Sequence, residues 1–348
     1  MDYTRVTVGA RSPGGVGGFA VTTMREVAAI AGVSAKTVSR VFNDEPHVTP
    51  ETRARVEAAL QQLNYVPNAV ATTFRKGRSP VIGIAVPDLV DPFFAAIAKS
   101  VNRLAIYHGM STLVTSLGDE IPSEAEVVGR LLSQSLSGLI IAPVATDHTY
   151  LNPWKDRLPI VFVDRAPSKL AADSITEDDS GGAQLATEHL IDHGHHRIAF
   201  IGDTADLPTS YRRLVGYRIA LDEHGIPQNS AYEVFGAVDR ESAEGAIRKL
   251  TELADPPTAI MSSNAQSTMM LVPALRGRAL ALVGFGDFPM ADMLDPPITV
   301  IDQDPAALGT LAAQRVFDRL AHPSRRFRRH TVLPVALIER SSCSWNER

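Results

Sequence analysis

Apolar positions near the start of the chain recur at helical spacing. Met24, Val27, Ala28 and Ala31 fall at i, i+3, i+4 and i+7, predicting a short helix that Thr23 caps and Gly32 stops. Ser34 opens a second helix a few residues later. Val38, Val41 and Phe42 share one of its faces, and Ala35, Lys36, Ser39 and Arg40 share the opposite one. Asn43-Asp44-Glu45-Pro46 reads as a turn. Thr49-Pro50 starts a third helix with a capping oxygen and a proline at its first position. Val56, Ala59, Leu60 and Leu63 give it a face that covers Val27, Val38 and Val41, and Asn64 with Tyr65-Val66-Pro67 ends it. Asn68 caps residues 69–75, a segment too short to hold as an isolated helix, and residues 76–80 form a linker.

From residue 81 the pattern changes. Continuous apolar, β-rich runs occur at 81–86, 112–115, 138–142, 160–163, 198–201, 259–261 and 280–285, most of them separated by amphipathic stretches. This alternation predicts parallel sheets covered on both faces. TVLPVALIE, residues 331–339, reads as the last strand, and the basic run Arg325-Arg326-Phe327-Arg328-Arg329-His330 as a solvated loop before it. The expected organisation is a Gly-rich mobile tail (1–21), an all-α helix-turn-helix headpiece (22–67), a hinge helix and linker (68–80), and an α/β body (81–348).

Charge sharpens this division. Residues 1–80 hold 10 Lys/Arg and 6 Asp/Glu, whereas the remainder holds 24 and 33, within an overall net charge of −5. A cationic head on an anionic body suits a polyanion bound at one end. Two helices joined by a tight Gly-containing turn form a helix-turn-helix, and small, hydroxyl and cationic side chains on the outer face of the second suit a major groove. The competing reading of that pattern is an ordinary helical hairpin. The sequence shows no apolar run long enough to span a bilayer and no signal-peptide core, and the single Cys343 excludes an internal disulfide, so a cytoplasmic location and no membrane partner are expected.

The runs VAAIAGVSAKTVSRVFN, VTPETRARVEAALQQLNYVPNAVA and VIGIAVPDLVDPFFA resemble the lactose-repressor/galactose-repressor family of bacterial transcription regulators, and the similarity extends through most of the remaining chain. The resemblance implies a body of two interleaved parallel-sheet subdomains of periplasmic-binding-protein type with a ligand cleft between them. It implies a homodimeric regulator, most simply a repressor, on a pseudo-palindromic double-stranded operator. Lys36, Ser39 and Arg40 would then read base edges, Ala35 would meet a thymine methyl, and Ser34, Thr37 and Asn43 would fix register on phosphates, with Thr23 at the same surface. Paired hinge helices would enter the minor groove, Asn68 capping them, Ala71 permitting close approach, and Phe74, where leucine is usual, wedging between bases.

For the cleft, open α/β sheets bind ligands beyond the carboxyl ends of their strands. Asp91, Phe93, Asp164, Arg212, Asn264, Asp287 and Gln303 are the candidate contacts for a sugar- or nucleoside-like effector. Phe93 is also read as a packing residue and Asp164 as a turn residue paired with Arg165. Three departures from the family pattern stand out: Ala265 follows Asn264 in place of an acid, Tyr211 aligns with the clamping arginine beside Arg212 and Arg213, and Gly286 replaces the first of two acids. They suggest an atypical, non-sugar effector or an insensitive pocket. His193, His195 and His196 read as cap and turn residues rather than a metal set. Neither a metal nor a cofactor is called for, and no nucleophile elbow or phosphate loop suggests an enzyme. A solute-binding protein is the remaining alternative, and it lacks a use for the headpiece.

Overall fold

A computed structural model describes residues 23–42, 45–63, 65, 80–118 and 124–343. They form two compact units, one within residues 1–77 and one within 78–348. The first holds α1 (Met24–Ala31), α2 (Ala35–Phe42) and α3 (Pro50–Gln62). Thr23 caps α1 as expected, and Glu26 completes a capping box by accepting from the Thr23 amide at 2.6 Å. Gly32 ends it at φ 61°, a left-handed conformation that costs glycine little. Ser34 Oγ accepts from the Thr37 amide at 3.1 Å, and Thr49 from the Thr52 amide at 3.3 Å. Val27, Ala28, Ala31, Val38, Val41, Val56 and Ala59 form the core. Phe42 departs from the expected face. It is 39% exposed, because the last residue of α2 overhangs a core made of small side chains. The readings placed on the 1–21 tail, Asn43, Asn64 and the 68–79 hinge lie outside the described residues.

The second unit runs β1 (Val81–Val86), α4 (Pro92–Tyr107), β2 (Ser111–Ser116), α5 (Glu124–Leu132), β3 (Gly138–Ile141), β4 (Ile160–Val163), β5 (Asp173–Glu177), α6 (Asp179–Asp192), β6 (Ile198–Gly202), α7 (Pro208–Glu223), β7 (Glu233–Phe235), α8 (Arg240–Thr251), β8 (Ala259–Ser262), α9 (Ala265–Leu275), β9 (Ala281–Phe285), β10 (Thr299–Asp302), α10 (Pro305–Ala321), β11 (His330–Leu333) and β12 (Ala336–Ile338). One sheet has the order β11-β5-β4-β3-β1-β2 and the other β12-β10-β9-β8-β6-β7. All their ladders are parallel except the antiparallel pair β10 and β12.

The chain therefore passes between the sheets three times: after β5, after β10, and between β11 and β12. The third passage corrects the sequence reading. TVLPVALIE is two strands in different sheets, because Pro334 has no amide to continue a ladder and the chain changes sheet there. The run at 112–115 also differs from a buried central strand. β2 is an edge strand with Leu113 and Val114 substantially exposed.

The first sheet is covered by α4 and α10, which bring Ile97, Val101, Leu308, Ala312 and Val316 against Ile84, Ile140 and Val161. Against the second sheet, α6 and α7 pack Ala183, Ala186, Leu214 and Tyr217 onto Phe200, Met261 and Val283. The start of α6 and the middle of α7 approach so closely that a Cβ on Gly216 would fall onto the Ser180 carbonyl. Gly216→Ala must push the two helices apart. It is expected to destabilise the body by about 1–3 kcal/mol, read as a lower urea midpoint, whereas an unchanged midpoint would show the helix pair to be compliant.

Candidate nucleic-acid interface and ligand cleft

The headpiece presents α2 as its outer helix. Ser34, Ala35, Lys36 and Arg40 are exposed, Thr37 is half-buried, and Met24, Arg25, Ala35, Lys36, Ser39, Arg40 and Glu45 line one groove. Arg40 Nε lies 3.4 Å from Glu45 in a pair roughly half exposed on both sides. Such surface pairs contribute about 0–1 kcal/mol, so Arg40 can leave Glu45 at little cost. Ser39 is 7% exposed, so it forms the groove's floor, while Lys36 and Arg40 have the reach. The Ser34 and Thr37 hydroxyls bond each other at 2.9 Å beside the α2 N-terminus, where exposed donors suit a phosphate. Asn43, Asn68, Ala71 and Phe74 lie outside the described residues.

In the body, polar side chains converge beyond the carboxyl ends of the strands. Arg213, one turn ahead of Gly216 on α7, is buried at their centre. Its Nε donates to Asp179 Oδ1 at 2.7 Å, its Nη1 donates to the Ser263 carbonyl at 2.7 Å, and its Nη2 lies 2.7 Å from Asp179 and 3.4 Å from Glu177. Its guanidinium also lies 3.9 Å from the centre of the Phe285 ring. Arg212 takes the other Asp179 oxygen at 2.8 Å from outside. Gln303, leaving β10, donates to Glu177 Oε1 at 2.5 Å and so joins the two sheets.

Glu177 carries the least ordinary electrostatics. Burial first, then the nearby Asp164 and Asp179, hold its carboxyl well above the carboxylate range, against the pull of Arg213. Its Oε2 is buried without a donor, while the Asp164 side chain stands within hydrogen-bonding reach of the same carboxyl group. Both features bias the Glu177 carboxyl toward its protonated form. Asp164 is itself buried, at φ 64°, with Arg165 Nε 3.1 Å away. That contact is an ion pair by distance only: the Nε makes no hydrogen bond, and Arg165 is held by its Nη1 donating to the Pro143 carbonyl at 2.7 Å. Asp91 caps α4 by accepting from the Phe93 amide at 2.8 Å, and burial pushes its carboxyl up. Asn264 caps α9 through Oδ1, and beside it the buried Ser263 Oγ has no partner.

Sequence comparison places this geometry. Residues 23–68 match the description "Bacterial regulatory proteins, lacI family", and residues 187–343 match a periplasmic binding protein-like domain. The ribose operon repressor of Escherichia coli K12 is 32% identical over 332 residues, covering 92% of this chain and all of that protein. This chain belongs to the lacI family. The regulator GalS of Salmonella typhimurium is 30% identical over 332 residues, covering 93% of this chain and 97% of that one. Among solved structures, a lac repressor dimer bound to operator and an anti-inducer matches with a TM-score of 0.82 at 28% identity, over 93% of this chain and 99% of that one.

Of the sequence-assigned residues, Asp91 lies in the field of Asp164, Gln303 bonds Glu177, and Asn264 caps α9 beyond β8. Phe93 is 9% exposed, edge-on to Phe94, and part of the α4 core, which is its packing reading. Arg212 is partly exposed on the outer side of Asp179, and the buried arginine is Arg213. The signal was available: Arg213 shares the stripe of Gly216, Tyr217 and Ala220 at i, i+3, i+4 and i+7, and Tyr211 does not. Asp287 is committed elsewhere, to a two-pronged ion pair with Arg340 at 3.1 and 2.7 Å. At Gly286, a Cβ would meet Gln303 Oε1 and Ala265, so the space of a family acid is used by Gln303. Glu177 and Asp179 were not foreseen.

Because its folded pKa is raised above the ordinary 4.5, the Glu177 contribution to stability is present below that value and is lost as pH rises through the raised one. Glu177→Gln keeps a donor toward Asp164 without the titration. Its melting temperature should gain on wild type as pH rises above the ordinary 4.5, and a constant offset would contradict the raised Glu177 carboxyl.

Proposed function

We propose that this protein is a homodimeric transcriptional repressor that binds a pseudo-palindromic operator and answers to a neutral, polyhydroxylated small molecule in the cleft between its two sheets. The observation that carries the reading is the pairing of an exposed Lys36/Arg40 helix in the headpiece with a body bridged at its hinge by Glu177, Gln303 and Arg213. The relatives are named as repressors and regulators, and the lac repressor relative was solved as a dimer on operator. An exposed apolar surface around Ile106, Tyr107, Leu113 and Val114 at the β2 edge supports an isologous dimer contact. Phe74 is assigned the minor-groove wedge by resemblance. No helix among the described residues is long and apolar enough to cross a membrane.

Charge balance argues for the effector's class. Asp88, Asp91, Asp164, Glu177 and Asp179 stand against Arg165, Arg212 and Arg213, so the cleft has no cationic excess to recruit an anion. The uncommitted groups are hydroxyl- and amide-like: Ser263 Oγ, the Asn264 amide and the outer edge of Asp164. A ribose-sized sugar or a nucleoside fits that set, and the name of the ribose operon repressor relative supports a pentose.

Operator sequences selected from a random duplex library by the full-length protein should be palindromic. Arg40→Ala or Lys36→Ala should then cost about 1–3 kcal/mol on the selected site with far less loss on random DNA, measured by fluorescence anisotropy. Equal losses on both DNAs would reduce these residues to phosphate contacts. Calorimetric titration should show neutral pentoses or nucleosides binding and their phosphorylated forms failing, and the reverse order would refute the charge argument.

A further inference from the structure

The sequence places His193, His195 and His196 together, and the structure separates them. His195 is fully engaged, Nδ1 with Thr258 Oγ1 at 3.0 Å and Nε2 with the Cys343 carbonyl at 3.1 Å. His196 is exposed. His193 turns instead toward His189, one helical turn earlier on α6, and toward Glu339, which directly follows β12. One ligand-capable atom from each of these three residues lies within 4.8 Å of the other two.

Three details distinguish this cluster from a chance meeting of polar side chains. The His193 Nδ1 lies 2.8 Å from the His189 carbonyl, which fixes Nδ1 as the protonated nitrogen and leaves the Nε2 lone pair free. That Nε2 faces Glu339 Oε1 at 4.0 Å, so two acceptors oppose each other with room for a cation between them. His189 is 8% exposed, and its Nε2 is buried without any partner.

We propose that His189, His193 and Glu339 bind one divalent transition-metal ion of zinc's kind. Two imidazole nitrogens at i and i+4 on one helix face plus a carboxylate form a borderline-soft nitrogen and oxygen set, with a fourth position open to water on the exposed Glu339 side. Bonds of about 2.0–2.2 Å to a central ion require the ligand atoms to draw closer than they stand, and the solvent-facing His193 and Glu339 have that freedom. The ion would join the last turn of α6 to the strand that follows the third passage between sheets. The first turn of the same helix carries Asp179, so the metal would brace from its far end the element that holds Arg213. This assignment stands independently of the effector's identity.

The test uses the full-length, tag-free protein, stripped with a chelator and titrated with Zn²⁺ by calorimetry and with Co²⁺ by visible absorption. One ion per chain is expected, with a Co²⁺ spectrum of nitrogen-containing low coordination and a raised melting temperature in Zn²⁺. His193→Ala and Glu339→Gln, both at solvent-facing positions, should each weaken binding at least about tenfold, while His196→Ala should bind as wild type. Circular dichroism of the metal-free variants checks that they fold. Absence of saturable uptake by the wild type, or a stoichiometric site retained in either His193→Ala or Glu339→Gln, would overturn the proposal.

Discussion

A single buried guanidinium sets the terms for the body of this protein. Removing Arg213 from water costs several kcal/mol, recovered only if every donor is met and its charge is matched at close range. The matching groups come from separate places in the chain: Asp179 at the start of α6, Glu177 at the end of β5, the Ser263 carbonyl beyond β8 and the Phe285 ring at the end of β9. The close approach of α6 and α7 at Gly216 brings the first of these into range. The burial of one arginine thus requires four strand or helix ends to be correctly placed: β8 and β9 belong to one sheet, β5 to the other, and α6 follows β5.

This arrangement makes the hinge responsive without making it loose. Glu177 has one oxygen for Gln303 and Arg213 and a second that is buried without a donor, with Asp164 close by. In the proposed reading, a ligand hydroxyl entering beside Asp164 would compete for these groups. It acts on the angle between subdomains only to the extent that it satisfies these groups better in one arrangement than in the other. Gly286 matters here through what it admits: with no side chain at that position, Gln303 occupies the space from which it reaches Glu177.

The headpiece was legible in the sequence because its rules are local. Thr23, Gly32, Ser34 and Thr49-Pro50 each act within four residues of themselves, and the helices begin and end where those residues say. The apolar strands were legible for a similar reason. The polar ones were not: Asp173–Glu177 lacks the apolar run that marks the others, and its acids are met only in the fold, Asp173 by two 2.7 Å bonds from Arg319 and Glu177 by Arg213. TVLPVALIE reads as one strand, and only the tertiary fold shows that its two halves join different sheets. The sequence reading chose Arg212 by position, one residue from Arg213, which helical periodicity places on the buried stripe with Gly216, Tyr217 and Ala220.

The same contrast bears on how the two units are stabilised. Among the described residues, the headpiece core has seven buried side chains, none larger than valine, whereas the body buries phenylalanine, tyrosine, isoleucine and leucine throughout. A domain this small buries a lower fraction of its surface, so its end caps make up a larger share of a small total. One of those caps, Ser34, stands at the exposed end of α2 beside Thr37, at the surface assigned to phosphate. An anion bound there satisfies amides that a short helix otherwise leaves to water and favours the helix terminus electrostatically. Operator binding and headpiece folding therefore draw on the same few groups. Substitutions at Ser34 should lower both together, in contrast to Lys36, whose exposed side chain contributes to the first alone.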